Sequence, residues 1–163
     1  MVEIRLEKLA ETNALLQRTL FILEDLEDVY EKWADFYRTD IISTTWQTQG
    51  AMQGKRWKEL SPKYKAWKEK NYPGMPKLIL TNRMLMAALG GEGGFTHITK
   101  RKLEMGIDVN QIPYARIHQE GGHTGRAYIP QRPYFYMADG TITGRAIQKL
   151  KNLILNKLDK VIK

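Results

Sequence analysis

The segment Tyr114-Ala-Arg-Ile-His-Gln-Glu-Gly-Gly-His-Thr-Gly-Arg-Ala-Tyr-Ile-Pro-Gln-Arg-Pro-Tyr-Phe135 decides how the second half of this chain folds. It combines two histidines, three glycines, two prolines and three arginines with four aromatic rings. Pro113 begins a short helix that runs from Tyr114 to about Gln119 and ends at Gly121-Gly122, and a strand follows over 126–129. A polar, turn-rich segment between ordinary helices and strands is where chemistry or a specific contact is expected.

Toward the N-terminus the chain reads as one long helix. Apolar residues recur at three- and four-residue spacing from Glu3 to Asp40, with no glycine or proline between them. Such a helix rarely serves one small domain alone, so we expect it either to pack partly against a partner or to break near Thr12-Asn13. From Thr39 to Lys58 the polar residues and glycines favour a loop, although the helix could continue to about Gln49.

Two short helices are expected in the middle of the chain. Ser61 is suited to cap the first, over 62–70, because its hydroxyl can accept from a free amide and Pro62 fits the first helical position. Either Thr81 or Asn82 caps the second, over 83–89.

Alternating apolar and polar residues on both sides of Lys100-Arg101 predict a β-hairpin, with His97 on its polar face. A last amphipathic helix, over 143–162, has apolar residues on one side and mainly lysines and arginines on the other. The elements predict an α+β fold, with a small antiparallel sheet from about Phe95 to Tyr136 flanked by the long N-terminal, short middle and amphipathic C-terminal helices.

The length of 163 residues fits a single domain over 1–163. Within it we expect a long helical arm over 1–50, an α+β body over 51–140 and the C-terminal helix over 141–163.

The charge is unevenly distributed. The whole chain has 26 basic and 18 acidic residues, a net charge of +8. Residues 1–40 hold 5 basic and 10 acidic side chains, so 21 basic and 8 acidic remain for 41–163, and the two parts carry −5 and +13. A solvated surface, binding to nucleic acid and head-to-tail pairing with other copies are all compatible with this asymmetry.

The chain contains no cysteine, which excludes disulfides, thiolate metal sites and a cysteine nucleophile. No apolar run approaches the roughly 20 residues of a membrane span, and the start, Met-Val-Glu-Ile-Arg-Leu-Glu, is too charged for a signal peptide. We therefore expect synthesis in the cytoplasm and no membrane partner.

The histidines do not form a recognisable metal motif. His118 and His123 lie five residues apart with Glu120 between them, but Gly121-Gly122 breaks the helix, so the two rings do not share one helix face. Ser61 is better explained as a helix cap than as a nucleophile. We expect no catalytic residues, no metal and no cofactor.

Single-strand nucleic-acid binders interleave cationic and aromatic side chains, and the opening segment and its flank do the same. The residues concerned are Arg116, Arg126, Tyr128, Arg132, Tyr134 and Tyr136. No helix-turn-helix, zinc finger or ribonucleoprotein motif accompanies them, and prolines and tyrosines on a bent strand also have a structural explanation. A basic nucleic-acid-binding protein is the alternative function.

Three blocks of sequence resemble the phage virion morphogenesis family, the tail-completion proteins of Mu-like contractile-tailed bacteriophages. The first is Gly54-Lys-Arg-Trp57-Lys-Glu-Leu60-Ser61 with Tyr64-Lys-Ala-Trp-Lys68 after it. The second is Leu78-Ile-Leu80-Thr81-Asn82-Arg83-Met-Leu85, in which asparagine stands where the family usually has glycine. The third is the opening segment, with its Tyr-Ala-x-Ile-His-Gln-x-Gly and Ile-Pro-x-Arg-Pro patterns.

The resemblance implies a virion protein without catalysis that acts in tail completion or head-tail joining, at the neck where the tail meets the DNA-filled head. It implies several copies in a ring around the axial channel, contacts with the head connector or adaptor and with the tail terminator, and non-specific contact with packaged DNA. The family signature, and the expected assembly surface, comprises Trp57, Leu60, Tyr114, His118, Gly121, Pro130, Arg132 and Pro133. If His118 and Arg132 lie at a subunit boundary, replacing Arg132 by alanine should give a folded protein that cannot complete particles.

Overall fold

A computed structural model describes residues 6–125 and 127–162, with side chains from Asn13 to Gly125 and from Ala127 to Lys160. About half of the chain is helical, and two small antiparallel sheets of two strands each complete the structure. The α+β fold class is therefore confirmed. Arg126 and the first residues of the expected N-terminal helix, from Glu3 to Arg5, lie outside the described residues.

The N-terminal helix is broken once. Helix α1 covers Leu6–Leu23 and helix α2 covers Glu27–Phe36. The break therefore falls at 24–26, and the expected break at Thr12-Asn13 is wrong. It lies there because the Asp25 carboxylate accepts from the amide of Glu27 at 3.2 Å, and the amide of Leu26 donates to the carbonyl of Lys100 at 2.8 Å.

After α2 the helix continues without interruption. A π-helical segment covers Tyr37–Ile42, and helix α3 covers Ser43–Gln47. The predicted loop is therefore wrong up to Gln47, and the longer helix is the correct alternative. Thr45 fits the helix because its hydroxyl donates to the carbonyl of Ile41 at 2.7 Å, one turn earlier.

The middle of the chain contains a 3₁₀ turn at Ala51–Gln53, helix α4 at Pro62–Asn71 and helix α5 at Arg83–Ala88. The Ser61 cap is confirmed, because its hydroxyl accepts from the amide of Tyr64 at 3.4 Å. Asn82 occupies the cap position of α5, but its side chain makes no capping hydrogen bond.

Strands β1 (Gly94–Thr99) and β2 (Lys102–Ile107) pair antiparallel, as predicted, and place His97 opposite Glu104 on an exposed face. Helix α6 covers Ala115–Glu120, and strands β3 (Gly122–Thr124) and β4 (Ala127–Ile129) form a second hairpin. The single sheet expected from 95 to 136 is wrong. Beyond β4 the amides of Tyr134 and Phe135 bond the side chain of Gln119 rather than a strand.

Helix α7 covers Gly144–Ile162 and begins against the core. The core is aromatic. Trp33 stacks on Tyr37 with ring centroids 4.8 Å apart, and the edge of Trp46 meets Trp57 at 5.6 Å and Tyr134 at 5.0 Å. These rings form one buried cluster with residues from α5, Ile112 and Ala146.

The acidic stretch 24–40 contacts basic groups of its own chain. The ion pairs are Glu24–Arg101 at 3.4 Å, Asp25–Lys100 at 3.5 Å, Asp28–Lys157 and Asp40–Arg145 at 2.6 Å. Much of the charge asymmetry in the sequence is therefore balanced across the fold. None of the described helices has the length and apolar composition that crossing a membrane requires.

Candidate functional site

The three sequence blocks of the signature converge in space. The indole of Trp57, which is buried, donates to the carbonyl of Pro133 at 2.6 Å. Gly50 makes room for this indole: its φ is +94°, and a Cβ there would lie 2.4 Å from the Trp57 ring. A hydrogen bond thus joins the first and third blocks, and the indole that makes it leaves no room for a side chain at position 50.

Arg132 strengthens the same junction. Only 3% of its surface is exposed, and its guanidinium donates from Nε to the carbonyl of Lys58 at 3.1 Å and from Nη2 to that of Glu59 at 3.0 Å. Burial lowers the pKa of Arg132, and the nearby Glu59 charge partly offsets this effect. Arg132 therefore holds the segment 58–59 of its own chain in place.

Gln119 is a buried residue that the sequence placed in the motif but not among the site residues. Its Oε1 accepts from the amides of Tyr134 at 3.0 Å and Phe135 at 2.9 Å, and its Nε2 donates to the carbonyl of Tyr136 at 2.8 Å. The Tyr134 hydroxyl donates to the carbonyl of Ala115, at the start of α6, at 3.1 Å. One amide side chain therefore takes the place of a neighbouring strand for this segment. Its position one residue after the motif histidine was the only signal for this role.

Gly121 and Pro130 shape the turn between α6 and the second hairpin. Gly121 has a φ of +75°, and a Cβ there would lie 2.8 Å from the amide nitrogen of Gln131. Pro130 directly follows β4 and is half-buried. The turn brings the amide of Arg132 to the carbonyl of His118 at 2.8 Å.

The imidazole of His118 lies close to this turn and is largely enclosed. Its Nδ1 is buried without a hydrogen-bond partner, and its ring meets the edge of Tyr114 at 6.2 Å. Burial, followed by the charge of Arg132, lowers the pKa of His118 to about 4. The ring is therefore neutral near pH 7, and Tyr114 is the more exposed of the pair.

His118 and Arg132 line a cleft of about 750 Å³ together with Leu60, Tyr64, Lys68 and Tyr114. The segment from Leu78 to Asn82 also lines it, and both ends of this segment have left-handed backbone, with φ of +60° and +57°. The left-handed conformation explains why the family usually has glycine where this chain has Asn82.

Beside the cleft, helix α4 and the residue that follows it carry an exposed row of aromatic rings. Tyr64 stacks on Trp67 with centroids 5.5 Å apart, and Trp67 is 5.7 Å from Tyr72. All three side chains are exposed. We call these residues the aromatic row.

The metal and nucleic-acid alternatives depend on which of these side chains lie together at the surface. Within the described part of the chain, no three His, Cys, Asp or Glu side chains are close enough to hold a metal ion. Of the residues considered for nucleic acid, Arg132 and Tyr134 are buried, whereas Arg116 and Tyr128 are exposed, and Arg116 pairs with Glu120 at 2.9 Å. Arg126 lies outside the described residues.

Comparison with known proteins identifies a family. The model of the phage virion morphogenesis family matches residues 6–159, which is nearly the whole chain. No curated protein and no solved structure matches. The matched range includes both terminal helices, which lie outside the three sequence blocks. The chain therefore belongs to the phage virion morphogenesis family and has a role in phage morphogenesis.

Proposed function

We propose that this protein is a structural, non-catalytic virion component that completes the tail or joins it to the head of a tailed phage or phage-like particle. Family membership supports a role in building the particle. Most of the signature residues bond or pack against their own chain, which is typical of residues that fix the shape of a subunit. The proposed place of action is the neck, with several copies in a ring around the channel.

The observation that carries the proposal is the aromatic row on α4. Tyrosine and tryptophan are enriched among the residues that dominate protein–protein binding, because they bury a large area at a small entropic cost. The rings of the aromatic row are exposed, whereas Trp57, which precedes them in the chain, is buried in the core. A rigid base with an exposed aromatic surface suits docking of a head connector, an adaptor or the tail terminator.

The test is complementation of a phage or prophage that lacks its own copy of the gene. We expect Trp67→Ala to reduce infectious particles by at least tenfold, with intact heads and unjoined or incomplete tails in micrographs. Its melting temperature should stay within a few degrees of wild type, because Trp67 lies outside the core. Tyr128→Ala, at another exposed ring, is the matched control and should complement normally.

Normal particle yield from the double variant Tyr64→Ala, Trp67→Ala would overturn the docking surface. Arg132→Ala is a less suitable probe, because loss of its two bonds to backbone carbonyls should destabilise the fold itself. A defect in that variant would therefore not distinguish assembly from folding.

A further inference from the structure

Helix α1 has an apolar seam that its own chain leaves uncovered. Asn13, Leu16, Leu20 and Leu23 follow one another at spacings of three, four and three residues, which is the a/d pattern of a heptad repeat. The leucines are 54%, 55% and 41% exposed, and Asn13 is exposed as well. The same spacing extends through the earlier sequence positions Leu9 and Leu6.

The body of the protein contacts a different face of this helix. Ile22 is the buried residue of α1 in the core of the described chain, and Thr19, three residues earlier, is half-buried. At 100° per residue, Ile22 points roughly 120° away from Leu16 on the helix. Helix α1 contacts α7 of its own chain. Because Ile22 and the seam lie on different faces, this contact leaves the seam available to another molecule.

We propose that the seam pairs with the same seam of a second copy of this chain, in a parallel two-stranded coiled coil. Asn13 occupies the central a position. In a parallel pair it lies opposite the partner's Asn13 and the two amides can hydrogen-bond, as a single polar residue at an a position does when it fixes register and strand number. An antiparallel pair in the register that aligns both seams would place Asn13 against a leucine and leave the amide without a partner.

The charges of α1 favour a second copy as the occupant. Among the side chains of α1 that the structure describes, the seam is flanked at the e and g positions by Gln17 and Thr19, neither of which is charged. Residues 1–23 contain three acidic and three basic side chains, so two such helices bring no net repulsion. The helix has 18 residues and is therefore about 27 Å long. An interface of that length is at the small end of specific contacts, so the dimer should dissociate on dilution.

The first experiment measures the mass of the full chain by sedimentation velocity over a range of concentrations. We expect wild type to shift from the 18.9 kDa monomer toward twice that mass as concentration rises. The double variant Leu16→Lys, Leu20→Lys should remain monomeric, with the melting temperature of wild-type monomer. Phe21→Lys, at an exposed residue outside the seam, is the control and should associate normally.

The second experiment determines orientation and uses the absence of cysteine from the sequence. In the parallel pair, Leu20→Cys lies opposite its equivalent and should form a disulfide-linked dimer rapidly under mild oxidation. In the antiparallel register the two positions are 11 residues apart along the axis, about 16 Å, which is too far for a disulfide. Phe21→Cys points away from the seam and should crosslink at least tenfold more slowly.

A wild type that stays monomeric, or association that survives the double lysine substitution, would overturn the proposal. Equal crosslinking of the two cysteine variants would overturn it as well. The proposal does not depend on the neck function: a dimer that fails to complete particles contradicts only the function, and a monomer that completes them contradicts only the coiled coil.

Discussion

Among individual residues, His118 lies in an environment that disfavours a charge. Its ring is neutral because burial and the neighbouring guanidinium of Arg132 both oppose protonation. The unfolded chain takes up this proton near pH 6.5 and the folded chain near pH 4, so the unfolded state binds more protons between these values. Burial of the neutral His118 ring therefore has no pH-dependent cost above about pH 6.5. The free energy of unfolding falls as the pH falls from about 6.5 to 4.

We expect the free energy of unfolding to fall by up to about 3 kcal/mol between pH 7 and pH 4 because of this one group. Urea unfolding at several pH values measures it. His118→Asn has no titrating ring, so its stability should decline less over the same range, while the carboxylates titrate equally in both proteins. Parallel pH curves for the two proteins would contradict the assignment.

Asn82 gives a second test, of backbone conformation. It is exposed, has a φ of +57°, and its side chain makes no capping bond, so substitutions there report mainly on the left-handed backbone. Asn82→Ala should cost roughly 1 kcal/mol, whereas Asn82→Gly should be within about 0.5 kcal/mol of wild type. The measurement is the urea midpoint at constant slope. Equal stability of the alanine and asparagine proteins would rule out this account of the family glycine.

The signature block could be recognised from sequence, but the roles of its residues could not. The structure places Arg132 and His118 at one cleft, which the motif did not state. The motif also did not show that Arg132 bonds carbonyls 73 and 74 positions earlier in the chain, or that Gln119 holds three backbone groups. Such bonds depend on long-range packing, for which a local pattern has no signal.

Among the helices and strands, the sequence correctly predicted the elements that depend on residues close together in the chain. The hairpin around Lys100-Arg101, the Ser61 cap and the last helix follow from turn residues, capping chemistry and periodicity. The break at 24–26 and the helix through 43–47 did not follow from local signals. A carbonyl in the distant hairpin accepts from the amide of Leu26 at the break, and the helix through 43–47 buries Trp46 in the core. The second hairpin has only three residues per strand, which is too short for an alternating pattern.

The docking of α7 on α2 can be tested at one bond. The Trp33 indole donates to the carbonyl of Ala146 at 2.8 Å, and both residues are buried. Trp33→Phe removes the donor and part of the packing volume, so we expect a loss of roughly 2–4 kcal/mol. Hydrogen exchange should also become faster in the first turns of α7. The same substitution at the exposed Trp67 is the control, and it should cost less than about 1 kcal/mol.

For the whole molecule, the net charges of −5 and +13 do not describe two separate surfaces. The acidic side chains of 24–40 pair with the β-hairpin and with α7, so part of the apparent complementarity between copies is satisfied within one chain. Residues 1–23 are neutral overall. Self-association through α1 is therefore expected to depend on the leucines of that helix and to be insensitive to salt.

The small contribution of α1 to the core predicts that the chain from residue 24 onward folds without this helix. Of the described side chains in α1 only Ile22 is buried, and its burial is worth about 1.5–3 kcal/mol. Among the side chains that the structure describes, the ion pairs and the aromatic core lie beyond residue 23. We expect the truncated protein to keep its near-ultraviolet circular dichroism, lose about 2–3 kcal/mol of stability and remain monomeric at all concentrations. Full-length Ile22→Ala is the matched control, because it should lose a similar stability and still dimerise. A truncated protein without cooperative unfolding would show that α1 is needed for the core to form.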